Sequence, residues 1–143
     1  MEKNVTFKFT EKNFTNPNQM QALTLAYIGD SIYDIMSREY VMKNHLGKIN
    51  DLHKTVSTIV SARAQASFME EILNNNILTE QEEKIYNRAK NQKNNSKAKN
   101  ASIMEYKLAT GLEAVFGYLY LEKNFERLEE MFNYIIKLYE EKQ

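Results

Sequence analysis

The stretch Leu-Ala-Tyr-Ile-Gly-Asp-Ser-Ile-Tyr, residues 25–33, holds a single carboxylate, Asp30, in a largely apolar segment. Its apolar residues recur at the spacing of an α-helix. On such a helix Asp30 shares its face with five residues, most of them apolar or aromatic: Leu23, Ala26, Tyr27, Tyr33 and Asp34. An ionised carboxylate on a buried face costs several kcal/mol unless a cation or strong donors compensate it. Asp30 is therefore a candidate functional residue.

A second apolar stretch, Ala-Thr-Gly-Leu-Glu-Ala-Val-Phe-Gly-Tyr-Leu-Tyr-Leu at residues 109–121, carries Glu113 in the same kind of setting. The residues that share its helix face are again mostly apolar, aromatic or small: Tyr106, Ala109, Thr110, Phe116, Gly117 and Tyr120. No lysine or arginine lies one turn to either side of it. Glu113 is therefore the second candidate.

Glycines inside both stretches predict that the two helices approach closely. Gly29, Gly111 and Gly117 each cost a helix roughly 1 kcal/mol relative to alanine, which a close backbone contact would justify. Helices that cross at these residues would bring Asp30 and Glu113 together in an all-oxygen site, which suits Mg²⁺ better than zinc. The spacing leaves an alternative open, in which each acid pairs with a distant Lys or Arg or lies in water at the rim of the core.

The rest of the chain predicts an all-α fold, because four glycines, one proline and a 3.6-residue apolar rhythm accompany no sustained strand-like alternation. Capping signals support two of the helix starts, Pro17 after Asn16 and a Thr79–Glu82 capping box. The expected helices run from Pro17 to about Asn44, from Asn50 or Asp51 to about Leu73, briefly after Thr79, from about Ala101 through Leu121, and from about Phe125 to Tyr139.

Composition limits the class of protein and of site. The 143 residues fit one domain, 1–143 with its core at about 16–140. The absence of cysteine excludes disulfides and thiolate metal sites, and two histidines are too few for a histidine-rich zinc cluster. No signal peptide or run of membrane-spanning length is present, so we expect a cytoplasmic protein with no membrane partner.

Charge is segregated along the chain although the formal net charge is zero. Residues 84–107 carry seven basic side chains and one acid, whereas residues 66–83 carry five acids and no base. This segregation predicts a local basic patch. The segment Asn91–Asn100, rich in Asn and Lys, is predicted to be a solvated loop.

Residues 25–33 resemble the signature helix of the ribonuclease III family, in which a Leu-Gly-Asp-Ser core carries a catalytic aspartate that matches Asp30. Residues 109–121 resemble the second acidic helix of that family, in which a glutamate precedes Ala and Glu113 takes its place. Three further segments are similar to the Mini-III branch of the family: residues 51–54, 59–66 and 88–91. The resemblance covers roughly Gln19 to Leu138.

The resemblance implies a magnesium-dependent endoribonuclease that cleaves double-stranded RNA, in which Asp30 and Glu113 are both the catalytic residues and the metal ligands. It further implies a homodimer, maturation of the precursor of large-subunit (23S) ribosomal RNA, and no separate double-stranded-RNA-binding domain. Larger relatives have two more acids in the site, which align here with Ala26 and Thr110. Double-stranded RNA is recognised largely by shape and through its phosphates. The candidate RNA-binding residues are Lys54, Arg63, Arg88, Lys90, Lys93, Lys97 and Lys99.

Two other functions fit parts of the pattern. A non-catalytic RNA-binding protein with the ribonuclease III fold would not need both acids, whereas Asp30 and Glu113 are both present. A helical protein-interaction module would use its apolar face for dimerisation alone, and its acids would be ordinary salt-bridge partners. Cleavage of duplex RNA separates these alternatives.

Overall fold

Six α-helices account for most of the described chain, and no strand occurs within it. The structure is a computed structural model that describes residues 7–44, 47–92 and 101–143. A 3-10 turn, Pro17–Gln19, precedes the helices α1 (Ala22–Asn44), α2 (Ile49–Val60), α3 (Ala62–Asn74), α4 (Glu80–Lys90), α5 (Ile103–Leu121) and α6 (Phe125–Glu141). The predicted all-α fold is confirmed.

The predicted first helix begins later than its capping signal indicated. Pro17 starts only the 3-10 turn, since the side chain of Asn16 forms no cap and Met20 is extended, with φ −71° and ψ 154°. The carbonyl groups of Asn18 and Met20 accept hydrogen bonds of 2.9 and 2.8 Å from the guanidinium of Arg88. These carbonyls accept hydrogen bonds from a side chain and not from the backbone amides of a following helical turn, so α1 starts at Ala22.

The single helix predicted from about Asn50 to Leu73 is wrong at its centre, because the chain breaks at Ser61 into α2 and α3. Ser61 is extended, and its hydroxyl caps α3 by accepting a hydrogen bond from the Ala64 amide at 3.2 Å. The last carbonyls of α2 accept hydrogen bonds from side chains. The Tyr33 hydroxyl donates to the Ile59 carbonyl at 2.8 Å, and the side-chain amide of Gln65 donates to the Val60 carbonyl at 2.9 Å. Such bonds compete with continued helix.

The capping box predicted at Thr79 and Glu82 is confirmed, and it joins α4 to α6. The Glu82 side chain is buried and receives two hydrogen bonds of 2.8 Å from Arg127 of α6. The same guanidinium donates to the carbonyl of Ile77 at 2.7 Å. This buried, fully bonded pair fixes the angle between the two helices.

Helix α5 forms the centre of the core and packs on α1, α3 and α4. Its closest neighbour is α1, and glycines occupy the crossing. A Cβ atom at Gly29 would overlap the carbonyl oxygen of Glu113, and one at Gly117 would overlap that of Leu25. At Gly111 a Cβ atom would meet the ring of Tyr86. The predicted close approach of α1 and α5 is confirmed at Gly29 and Gly117, which bring the two backbones into direct contact, whereas Gly111 faces α4 instead.

The apolar character of α5 belongs to a protein core. Within the described ranges, no helix combines enough length with enough hydrophobicity to cross a bilayer.

Candidate active site

The crossing of α1 and α5 brings Asp30 and Glu113 together. Asp30 follows Gly29, and the Glu113 backbone lies against that glycine, so both side chains leave the same crossing point. The Asp30 carboxyl is close enough to the Glu113 carboxyl to raise its pKa. The structure therefore joins the two carboxylates that the sequence singled out.

The two carboxylates differ in exposure. Glu113 is largely buried, whereas Asp30 is exposed to solvent. The expectation that both acids lie on buried faces is therefore wrong for Asp30, which extends from the edge of the α1–α5 contact into water. Within the described ranges neither acid forms a salt bridge, so the alternative that each pairs with a distant Lys or Arg finds no support there.

The pKa of Glu113 is raised from 4.5 to about 8, chiefly by burial. The hydrogen bond and the negative charge of Asp30 add to this rise, while a hydrogen bond from Gln65 opposes it. Two carboxylates that share a site resist simultaneous ionisation unless a cation joins them. The pair is thus arranged to gain from a bound cation.

Gln65 is a site residue that the sequence analysis did not select. It is only 2% exposed, and its Nε2 atom donates to the Val60 carbonyl at 2.9 Å and to Glu113 Oε2 at 3.4 Å. Its place between Ala62 and Phe68 in the apolar stripe of α3 is the signal that could have found it, since an amide there requires buried partners. The break at Ser61 orients α3, but the apolar spacing of the sequence does not indicate it.

The donor set fits Mg²⁺. Carboxylate oxygen is the ligand that Mg²⁺ prefers, and one or two carboxylates are a usual protein contribution to its site. No group of three or more His, Asp or Glu side chains able to hold a metal occurs among residues 7–44, 47–92 and 101–143. Nearby acids are engaged elsewhere, because Asp34 pairs with Arg38 at 2.8 Å and Glu105 belongs to the capping box of α5.

Ala26 and Thr110, the positions that the resemblance aligns with two further acids, provide no carboxylate to the pair. Ala26 is buried and apolar. Thr110 is 7% exposed, and its hydroxyl donates to the Tyr106 carbonyl one turn back at 2.9 Å. A cation at this site therefore has two protein carboxylates available from the described residues.

The candidate RNA-binding residues are only partly described. Lys54 and Arg63 are exposed, and Arg63 lies 3.6 Å from Glu105. Lys90 is half-buried, while the Arg88 guanidinium holds the carbonyls before α1, a structural role that the sequence did not predict. The remaining candidates lie outside the described residues, as does most of the predicted loop: Lys93, Lys97 and Lys99.

The raised pKa of Glu113 predicts that the metal-free protein loses stability as pH rises. Between about pH 4.5 and pH 8 the folded state keeps a proton that the unfolded state releases, so the unfolding free energy falls with pH over this window. Glu113 contributes up to ~1.4 kcal/mol per pH unit to that slope. Urea unfolding in the presence of a chelator, from pH 5.5 to 8, should show a steeper decline for wild type than for Glu113→Gln. If the unfolding free energies of wild type and Glu113→Gln declined in parallel with pH, the raised pKa of Glu113 would be contradicted.

The chain is similar to known proteins. Residues 23–124, which include both acids, match the Ribonuclease III domain family. A Mini-ribonuclease 3 from Clostridium tetani is 47% identical over 136 residues, which cover 93% of this chain and 89% of that protein. One from Enterococcus faecalis is 46% identical over 119 residues, covering 83% and 90%. A crystal structure of a Fusobacterium nucleatum protein matches with a TM-score of 0.75 at 34% identity, covering 87% of this chain and 98% of that one.

Proposed function

Because this chain belongs to the ribonuclease III family, as a Mini-ribonuclease 3-type endoribonuclease, we propose that it hydrolyses double-stranded RNA with Asp30 and Glu113 as magnesium ligands. The observation that carries the proposal is the meeting of these two carboxylates at the α1–α5 crossing. Among the described residues, no lysine or arginine forms a salt bridge with either acid, and their oxygen donors suit Mg²⁺.

In this proposal Asp30 of α1 and Glu113 of α5 would hold the ion between the two crossing helices. When bound, Mg²⁺ polarises the phosphate and lowers the pKa of the attacking water. The water oxygen forms a bond to phosphorus, the bond to the 3′ oxygen breaks, and the product strand begins with a 5′-phosphate. The exposed Asp30 lies where a duplex can reach it, and the buried Glu113 fixes the inner side of the site.

We propose that the basic side chains bind the phosphates of the duplex. Lys54 and Arg63 are exposed on α2 and α3, and Lys90 lies at the end of α4. Arg88 contributes its charge while its guanidinium remains bound to backbone carbonyls. The same proposal includes the residues outside the described ranges: Lys93, Lys97 and Lys99.

We further propose a two-fold homodimer, in which each subunit cuts one strand of the duplex. Large exposed apolar side chains on α1 support it, because such residues are typical of protein interfaces: Tyr27, Ile35 and Met42. The precursor of large-subunit (23S) ribosomal RNA in the cytoplasm is the proposed substrate, and its support is the likeness to Mini-ribonuclease 3 proteins.

A cleavage assay on matched duplex and single-stranded RNA tests the function. We expect cleavage of the duplex alone, its loss with chelator and its return with Mg²⁺. Asp30→Asn should remove the activity while leaving the folded state intact, since Asp30 is exposed and its amide is the same size. An Asp30→Asn variant that cuts duplex RNA at the wild-type rate would overturn the assignment. Duplex binding without cleavage by the wild type would favour a non-catalytic RNA-binding protein.

A further inference from the structure

We propose that Gln65 is a positioning residue for the active site, which holds the Glu113 carboxylate in the orientation that binds Mg²⁺. The inference rests on the proposed function, because Gln65 can position a metal ligand only if Glu113 is one. Gln65 itself would touch neither the RNA nor the reacting atoms.

The first support is the way in which the Gln65 amide is fixed. Its Nε2 atom donates to the Val60 carbonyl at 2.9 Å, and that carbonyl belongs to the last turn of α2. This bond is partly buried, so the last turn of α2 anchors the amide. From this anchor the same Nε2 atom reaches Glu113 Oε2 at 3.4 Å.

The second support is that other polar groups near Glu113 cannot replace Gln65. The Tyr33 hydroxyl donates to Ile59, and burial keeps its pKa above the usual range, so it remains a protonated donor committed to that carbonyl. Asp30 carries a carboxyl like that of Glu113 and repels its charge. Among the described side chains, Gln65 alone provides a neutral hydrogen-bond donor to this carboxylate.

The third support is the cost of keeping an amide at this position. Gln65 is 2% exposed, and its Oε1 atom has no hydrogen-bond partner among the described residues. An unpaired buried acceptor destabilises the folded state, whereas an apolar side chain of similar length would leave no such group. The adjacent residues of the α3 stripe are apolar, as Ala66, Phe68 and Met69 show. A polar residue retained at such a cost is consistent with a role at the site.

The decisive variant is Gln65→Met, which keeps the length of the side chain and removes the donor. Partners that orient a metal-bound carboxylate typically change metal affinity by 10- to 100-fold, and the long 3.4 Å contact favours the lower figure. We expect the Mg²⁺ concentration for half-maximal thermal stabilisation to rise about tenfold, at a pH above the pKa of Glu113. Half-maximal cleavage should require a similarly higher Mg²⁺ concentration, and saturating Mg²⁺ should recover most of the rate.

Tyr33→Phe is the matched control, because it removes the neighbouring cap of α2 and leaves the Gln65 contact with Glu113 in place. It should lower the melting temperature without changing the Mg²⁺ concentration for half-maximal stabilisation. Equal shifts in the two variants, or none in Gln65→Met, would overturn the inference and leave the proposed function standing.

Gln65→Asn gives the same comparison if Gln65→Met does not fold, because its shorter amide cannot span Val60 and Glu113 together. We expect it to weaken Mg²⁺ stabilisation as well, and an unchanged Mg²⁺ affinity would overturn the inference. If Mg²⁺ changed neither the melting temperature nor the cleavage rate of the wild type, the proposed function would be overturned, and the role of Gln65 with it.

Discussion

Replacing Glu113 with Gln should reduce cleavage of duplex RNA by about a thousandfold or more, because losing a carboxylate ligand removes several kcal/mol of transition-state stabilisation. The same change should raise the unfolding free energy of the metal-free protein by at least ~1 kcal/mol at neutral pH, since burial and the charge of Asp30 force Glu113 to take up a proton on folding and Gln needs none. Mg²⁺ should stabilise wild type more than the variant. Single-turnover cleavage and chemical unfolding, each with and without Mg²⁺, measure these effects.

Glu129→Gln is the matched control for this experiment, because Glu129 is exposed on α6 and the chemical change is identical. It should alter neither cleavage nor the response to Mg²⁺. A Glu113→Gln variant that is inactive and also strongly destabilised would contradict the expected relief of repulsion, and its lost activity would then reflect a damaged fold. A variant with wild-type cleavage would show that Glu113 is no ligand.

Gly29→Ala should destabilise the protein by about 3 kcal/mol or prevent folding, although alanine is the better helix former by roughly 1 kcal/mol. The added Cβ atom would overlap the carbonyl oxygen of Glu113, and that atom belongs to the backbone of α5, which cannot rotate away as a side chain can. The helices must therefore separate. Urea unfolding monitored by circular dichroism measures the loss.

Gly47→Ala is the corresponding control, since a Cβ atom at Gly47 would lie 3.4 Å from the Asp51 side chain, an ordinary contact. Its stability should stay within about 0.5 kcal/mol of wild type. If Gly29→Ala were as stable as wild type, the crossing of α1 and α5 could not be as close as the structure has it.

The sequence predicted the centre of this molecule well because the relevant signals are local. Helical spacing assigned Asp30 and Glu113 to two apolar helices, and the cost of Gly29 and Gly117 inside those helices indicated a close crossing. Together these signals were compatible with a meeting of the two carboxylates, but spacing alone left open the alternative of distant partners or solvent at the rim. Their relative exposure depends on which neighbouring elements cover each side of the crossing, and so the exposure of Asp30 was not predictable from its own helix.

What the sequence did not reveal depends on hydrogen bonds between distant residues. The break at Ser61 interrupts no apolar rhythm, and its stabilising partner Tyr33 lies far away in the chain. In the sequence, Arg88 resembles the other basic residues of its segment. Only the structure shows that it donates hydrogen bonds to the carbonyls of Asn18 and Met20. Spacing along one helix cannot identify such partners.

The backbone contact between α1 and α5 also determines how the selectivity of the site could be engineered. Since Gly29 touches the carbonyl of Glu113 directly, repacking the surrounding core cannot bring the two helices closer together. In the proposed magnesium site, the reach from the backbone to the ion would thus be set by the lengths of the two acidic side chains. A redesign for a larger cation such as Ca²⁺, which binds at longer distances and takes more oxygen ligands, has to alter those lengths or introduce a new carboxylate.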